Sequence, residues 1–178
     1  MSRYVALLRG INVGGHRVLK MADLRAILVA AGARDAVTYI QSGNAVFDHA
    51  ARSAATLVAE LEARIAEATG FAVTVVARTA AEWAAVVAAN PFPEAGPDEL
   101  HVSFLAARPP ADVLAGLDPA AFVPERFALV QREIYLHLPD GLGRSKLAGA
   151  LGKVKAIAPT ATARNWRTVL KLHELAAG

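Results

Sequence analysis

Four short segments of this chain carry the residue types that recognise negative charge. They read Arg9-Gly10-Ile11-Asn12-Val13-Gly14-Gly15, Gln41-Ser42-Gly43-Asn44, Gly141-Leu142-Gly143-Arg144-Ser145-Lys146 and Thr162-Ala163-Arg164-Asn165-Trp166, and none of the four contains Asp or Glu. Glycine turns expose backbone N–H groups, and Arg, Lys, Asn and Ser add side-chain donors. The chemistry these types suggest is anion binding, lined by Arg9, Asn12, Gly14, Gly15, Lys20, Gln41, Ser42, Asn44, Ser145, Lys146, Arg164 and Asn165. Gly141–Lys146 precedes a helix that Ser145 can cap, so it reads either as a phosphate seat at a helix N-terminus or as a plain capped turn. Thr162–Asn165 reads as a helix start. Trp166 beside it either stacks on a base or packs as core with Val169 and Leu170.

Other chemistries find less support. The glycines after the first strand miss the G-x-G-x-x-G spacing, and the following helix begins several residues too late for a dinucleotide loop. Gly141–Lys146 is no Walker A motif, because its serine precedes its lysine. His16, His49, His101, His137 and His173 show no H-E-x-x-H spacing, and Cys is absent, so no metal is expected. There is no G-x-S-x-G elbow, and neither Ser42 nor Ser145 has an identifiable base. No cofactor is implied, and whether the protein is an enzyme stays open.

These segments need elements to hold them. The 178 residues suffice for one domain or two small lobes, and 54% hydrophobic content excludes disorder. Without cysteine there is no disulfide framework, which fits a reducing cytoplasm. The N-terminus runs into a strand-like segment without a signal core, and the longest apolar stretch, Ala77–Ala89, is interrupted by Arg78 and Glu82. No membrane partner is therefore expected. Charge is uneven: residues 1–125 hold 10 Lys+Arg against 13 Asp+Glu, and residues 126–178 hold 9 against 3. A basic C-terminal third suits phosphate or nucleic acid, or is an ordinary solvated face.

The chain contains 40 alanines, which fit either face of a helix, so the larger side chains decide the elements. Tyr4–Val13 reads as a strand, Met21–Ala31 as a helix stopped at Gly32, Ala36–Ser42 and Ala45–Asp48 as a hairpin around Gly43-Asn44. Ser53 caps a helix that runs to Thr69, and Ala72–Ala77 is a strand. That order, β-α-β-β-α-β, is the split βαβ or ferredoxin-like string, with sheet order 4-1-3-2 and every pair antiparallel. Such a sheet carries the loop after strand one and the hairpin after strand two on one edge, about 10 Å apart. Thr79–Ala89 follows as a helix, and Asn90–Asp98 as a proline-rich hinge. The remainder reads as strand Leu100–Ala107, short helix Asp112–Leu117, hairpin Phe127–Val130 with Ile134–Leu138, and helices Ser145–Leu151 and Asn165–Ala176. The expected fold is α+β, with two related ferredoxin-like subdomains of mostly antiparallel sheet. Their spans are 1-90 (β-α-β-β-α-β plus a connecting helix) and 91-178 (β-α-β-β-α-α, lacking a last strand).

Read together, Leu7–Gly15, Thr38–Phe47, Asn90-Pro91-Phe92, Gly143-Arg144-Ser145-Lys146-Leu147 and Thr162–Val169 resemble the bacterial family known as domain of unknown function 1697. The likeness spans nearly the whole chain. It implies a cytosolic α+β protein of two related subdomains, and it implies no activity and no catalytic residues. One departure is the spacer Val154–Ala161, longer and more apolar than the family pattern.

The preferred function is binding of an anionic, phosphate-bearing small molecule or nucleotide, with catalysis unidentified. The alternatives are a nucleic-acid-binding protein and a protein-interaction module using an exposed sheet edge. Aromatic residues at only 6% weigh against base stacking.

Overall fold

A computed structural model describes all 178 residues. It is a mixed α+β structure with two four-stranded antiparallel sheets. The chain forms two compact units, Met1–Ala85 with Lys171–Gly178, and Val86–Leu170. The last eight residues, Lys171–Gly178, thus belong to the first unit. Arg3 ties them there: its guanidinium donates to the Leu175 carbonyl at 3.1 Å.

In the first unit, β1 (Ser2–Leu8), β2 (Arg34–Tyr39), β3 (Asn44–His49) and β4 (Val75–Thr79) lie in the order β2-β3-β1-β4. That is the order read from the sequence. Helices α1 (Met21–Ala30) and α2 (Ala54–Thr69) fill one face. Period-2 alternation sends Tyr4, Ala6, Leu8, Ala45, Phe47 and Val75 into that core, where Leu24, Leu28, Leu57, Leu61 and Ile65 meet them. The opposite face is also buried, with Val5, Leu7, Val46 and Val76 each at most 2% exposed. Ser53 caps α2 by accepting from the Thr56 N–H, and Gly70 closes it in the left-handed region. The fourth strand begins three residues later than Ala72, because the Glu62 carboxylate takes the Val75 N–H at 2.8 Å and sets where the chain joins the sheet.

After α3 (Ala80–Ala88), the second unit orders β5 (Leu100–Phe104), β6 (Arg126–Val130), β7 (Glu133–His137) and β8 (Thr162–Asn165) as β6-β7-β5-β8. Two expectations are corrected here. Asp112–Leu117 is no helix but a succession of turns, with N–H groups reaching back three residues, as from Ala115 to Asp112 and from Leu117 to Leu114. Pro109, Pro110, Gly116 and Pro119 deny a helix the donors and the stiffness it needs. And Thr162–Asn165 is not a helix start: it is a fourth strand, paired with β5 at His101↔Asn165 through Phe104↔Thr162. The second half therefore does not lack its last strand. Helix α4 is Lys146–Leu151, and α5 (Trp166–Ala177) begins only after β8.

The missed strand exposes a repeat. Val5 pairs with Arg78 in the first sheet, and Val102 pairs with Arg164 in the second. Each arginine follows an alanine and donates to that alanine's carbonyl, at 2.9 Å to Ala77 and 2.8 Å to Ala163. Each is buried, and each is followed by a residue that caps a helix, Thr79 or Asn165. Burial pushes the Arg164 guanidinium down to about 10, still cationic at neutral pH.

Candidate functional site

The loop after β1 is built on left-handed backbone. Gly10, Asn12, Gly14, Gly15 and Arg17 all have φ between 50° and 75°. Val13 and His16 pair across Gly14-Gly15, forming a two-residue hairpin of the kind that demands positive φ at both central positions. Asn12 holds its base. Its Nδ2 donates to the Leu19 carbonyl at 2.9 Å and to the Gln41 carbonyl at 2.7 Å, and its Oδ1 accepts from the Leu19 N–H at 2.8 Å. The loop and the hairpin tip, remote in sequence, are thus in direct contact, nearer than the two strand spacings expected.

Asn44 is fully buried beneath the tip, and its Nδ2 donates to the Tyr39 carbonyl at 2.9 Å and to Ser42 Oγ at 3.0 Å. Both asparagines spend their amides on the chain, so they shape this edge. The groups it presents are Arg9, half-buried, and His16, Arg17, Lys20 and Gln41, all exposed. No carboxylate occurs between Arg9 and Ala22. Lys20 is the N-cap of α1 and makes no side-chain cap, whereas α2, α3, α4 and α5 are capped by Ser53, Thr79, Ser145 and Asn165. Asp23 in its first turn is the nearest acidic group along the chain.

The remaining predicted residues lie in the second unit, and Ser145, Arg164 and Asn165 are already engaged. Ser145 Oγ caps α4 by accepting from the Ala148 N–H at 2.8 Å, and the Glu125 carboxylate accepts from the Leu147 N–H at 2.9 Å. The start of α4 therefore carries an anion of the chain's own. Lys146 beside it is exposed. Arg164 also donates to Thr162 Oγ1 at 2.9 Å, and Asn165 Oδ1 caps α5 through the Thr168 N–H at 2.9 Å. Trp166 is buried and tilts against Tyr135, centroids 6.5 Å apart, so it belongs to the core, but Leu170, expected to be buried with it, is 41% exposed.

The sequence pattern described as "Protein of unknown function (DUF1697)" matches residues 1–135. The chain belongs to this family. Among solved structures, this DUF1697 protein is similar to the conserved bacterial protein SP0830 from Streptococcus pneumoniae, at 26% identity and a TM-score of 0.82, covering 98% of each chain. No curated protein matches it. Its loop, tip and the start of α1 all fall within the matched residues.

Sequence reasoning about the DUF1697 chain missed two features. Arg17 joins the site because the hairpin carries it back toward Gly10, and its place between Gly15 and Lys20 was the available signal. A polar chain in the second unit was not foreseen: Glu94 pairs with Arg126, whose guanidinium meets His137 Nδ1 at 3.0 Å, and His137 Nε2 meets Glu99 at 3.2 Å. The Arg126 group also lies 4.7 Å over the Phe92 ring, so this chain fastens the proline-rich segment to the β6–β7 hairpin. It serves as a structural clasp.

His101 has a measurable consequence. It is 8% exposed, its Nδ1 has no hydrogen-bond partner, and burial lowers its pKa from the ordinary 6.5. Below that ordinary value the unfolded chain takes up a proton that the folded chain refuses. Stability therefore falls as pH drops through about 6.5, by at most about 1.4 kcal/mol per pH unit, and levels off once the folded state is protonated as well. Urea midpoints of wild type and His101→Gln between pH 8 and 5 check this: the variant's profile is expected to be the flatter one.

Proposed function

We propose that the protein binds a phosphate-bearing ligand at the edge formed by the Arg9–Lys20 loop and the Gln41–Asn44 tip. One observation carries the reading: of the five α-helix starts, only that of α1 lacks a side-chain cap, and the loop leading into it is basic and free of carboxylates. An uncapped helix N-terminus offers orphan N–H groups and the positive end of the helix dipole. Arg9, Arg17 and Lys20 supply charge. Gln41 and Ser42 border the edge, while Asn12, Asn44, Gly14 and Gly15 give it its shape. We read both units as ferredoxin-like and the protein as cytoplasmic. Against the nucleic-acid alternative stands the burial of both sheets: Val5, Val46, Phe104 and Tyr135 are at most 1% exposed, so no aromatic platform faces outward.

Calorimetric titration with pyrophosphate and with ATP near physiological salt tests the reading. Wild type is expected to bind at least one of them saturably. Arg17→Gln with Lys20→Gln is expected to weaken that binding tenfold or more, since a charge-assisted hydrogen bond contributes about 1.5–3 kcal/mol. Lys146→Gln in the second unit is expected to leave it unchanged. Absence of saturable binding in wild type would remove the proposal.

A further inference from the structure

The same loop carries an apolar feature that phosphate binding does not use. Every residue from Val13 to Val18 is exposed, so the small hairpin projects rather than lining a hollow. Val13 is 68% and Val18 60% exposed. Ile40, 49% exposed, adjoins Gln41, whose carbonyl receives the Asn12 amide. Scattered exposed aliphatics are ordinary, but Val13 and Val18 share the small hairpin with Arg17, and Ile40 adjoins the tip that Asn12 ties to it.

Resting on the anion reading above, we propose that this finger docks the protein on an acidic phospholipid layer. Val13, beside the Gly14-Gly15 tip, passes deepest, Val18 and Ile40 near the base of the finger lie at the level of the headgroups, and Arg17 and Lys20 meet headgroup phosphates. The Asn12 hydrogen bonds and the Gly14-Gly15 turn fix its shape before contact. Aliphatic rather than aromatic side chains favour lipid over nucleic acid. So does Asn12, whose amide is already used and cannot read a base edge. Contact of this kind needs no spanning segment, and no helix of the protein is long and apolar enough to cross a membrane.

The experiment is co-sedimentation of the full chain with vesicles of phosphatidylglycerol and phosphatidylcholine, or of phosphatidylcholine alone, beside titration with free pyrophosphate and a mixed-sequence oligonucleotide. Of the two vesicle compositions, only the acidic one is expected to bind the protein. Arg17→Gln with Lys20→Gln should weaken it more than tenfold, at about fivefold per cation near the surface. Val13→Ser with Val18→Ser should weaken it about tenfold, and should leave the urea midpoint and any pyrophosphate affinity unchanged. Acidic-vesicle binding indifferent to the valine pair would overturn the inference. Binding of pyrophosphate or of the oligonucleotide together with no binding to acidic vesicles would overturn it too, and the pyrophosphate case leaves the anion site standing. Failure to bind any probe removes both.

Discussion

Gly43→Ala is expected to lower stability by about 2–4 kcal/mol, combining left-handed strain with overpacking. A Cβ at Gly43 would lie 2.7 Å from Ile11 Cδ1 and 2.7 Å from Leu8 Cβ. Ile11 is 2% exposed and cannot swing out, and Leu8 Cβ is fixed to the backbone of β1. The backbone also has φ of +80° here, and the Gly43 carbonyl accepts from the Leu8 N–H at 2.8 Å. Backbone retreat would break that bond and part the tip from β1. Gly70→Ala separates the two causes: its φ is +78°, and nothing lies within 4 Å of an added Cβ. It should cost only the conformational part, roughly 1–2 kcal/mol. Urea unfolding of both variants decides the matter, and equal losses would refute the packing claim.

For Asn12→Ala a loss of about 2–3 kcal/mol is expected, together with loss of anion binding at this edge. Three hydrogen bonds disappear, and alanine must adopt the φ of +55° that asparagine tolerates. Asn12→Gly removes the backbone strain but not the missing bonds, so it should recover only part of the loss. Asn12→Asp keeps the acceptor for Leu19 N–H but sets a carboxylate against the Leu19 and Gln41 carbonyl oxygens, so it should not rescue. Hydrogen exchange at the Leu19 amide offers a direct local readout. Unchanged protection in Asn12→Ala would mean that the loop is held by something else.

The first unit was legible because its signals are local and agree with one another. Gly32, Ser53 and Gly70 mark helix ends, and β-branched runs mark its strands, so order and sheet topology follow from connection lengths and handedness. The second unit was legible in its β6–β7 hairpin and in its last helix, to within a residue at each end. It failed at β8. Thr162-Ala163-Arg164-Asn165 is four residues long, has one β-branched side chain and leads directly into a cap, so local preference there points to a helix start. Only the register with β5 makes it a strand. At Asp112–Leu117 a helix was again expected where none forms, and there the flanking prolines prevailed.

The candidate site divides along the same line. Residue types and their order determined the inventory on their own: where glycine must turn the chain, where donors gather, and where carboxylates are missing. Whether a donor is offered or spent was decided by tertiary structure alone. Asn12, Asn44, Ser145 and Asn165 looked alike as polar residues in turns, yet each hydrogen-bonds the chain itself, while Arg17 and Lys20 stay exposed. The reason is geometric. A hydrogen bond needs its partner within about 3 Å, and the partners of Asn12 lie seven and 29 residues away along the chain, at distances that only the folded sheet closes.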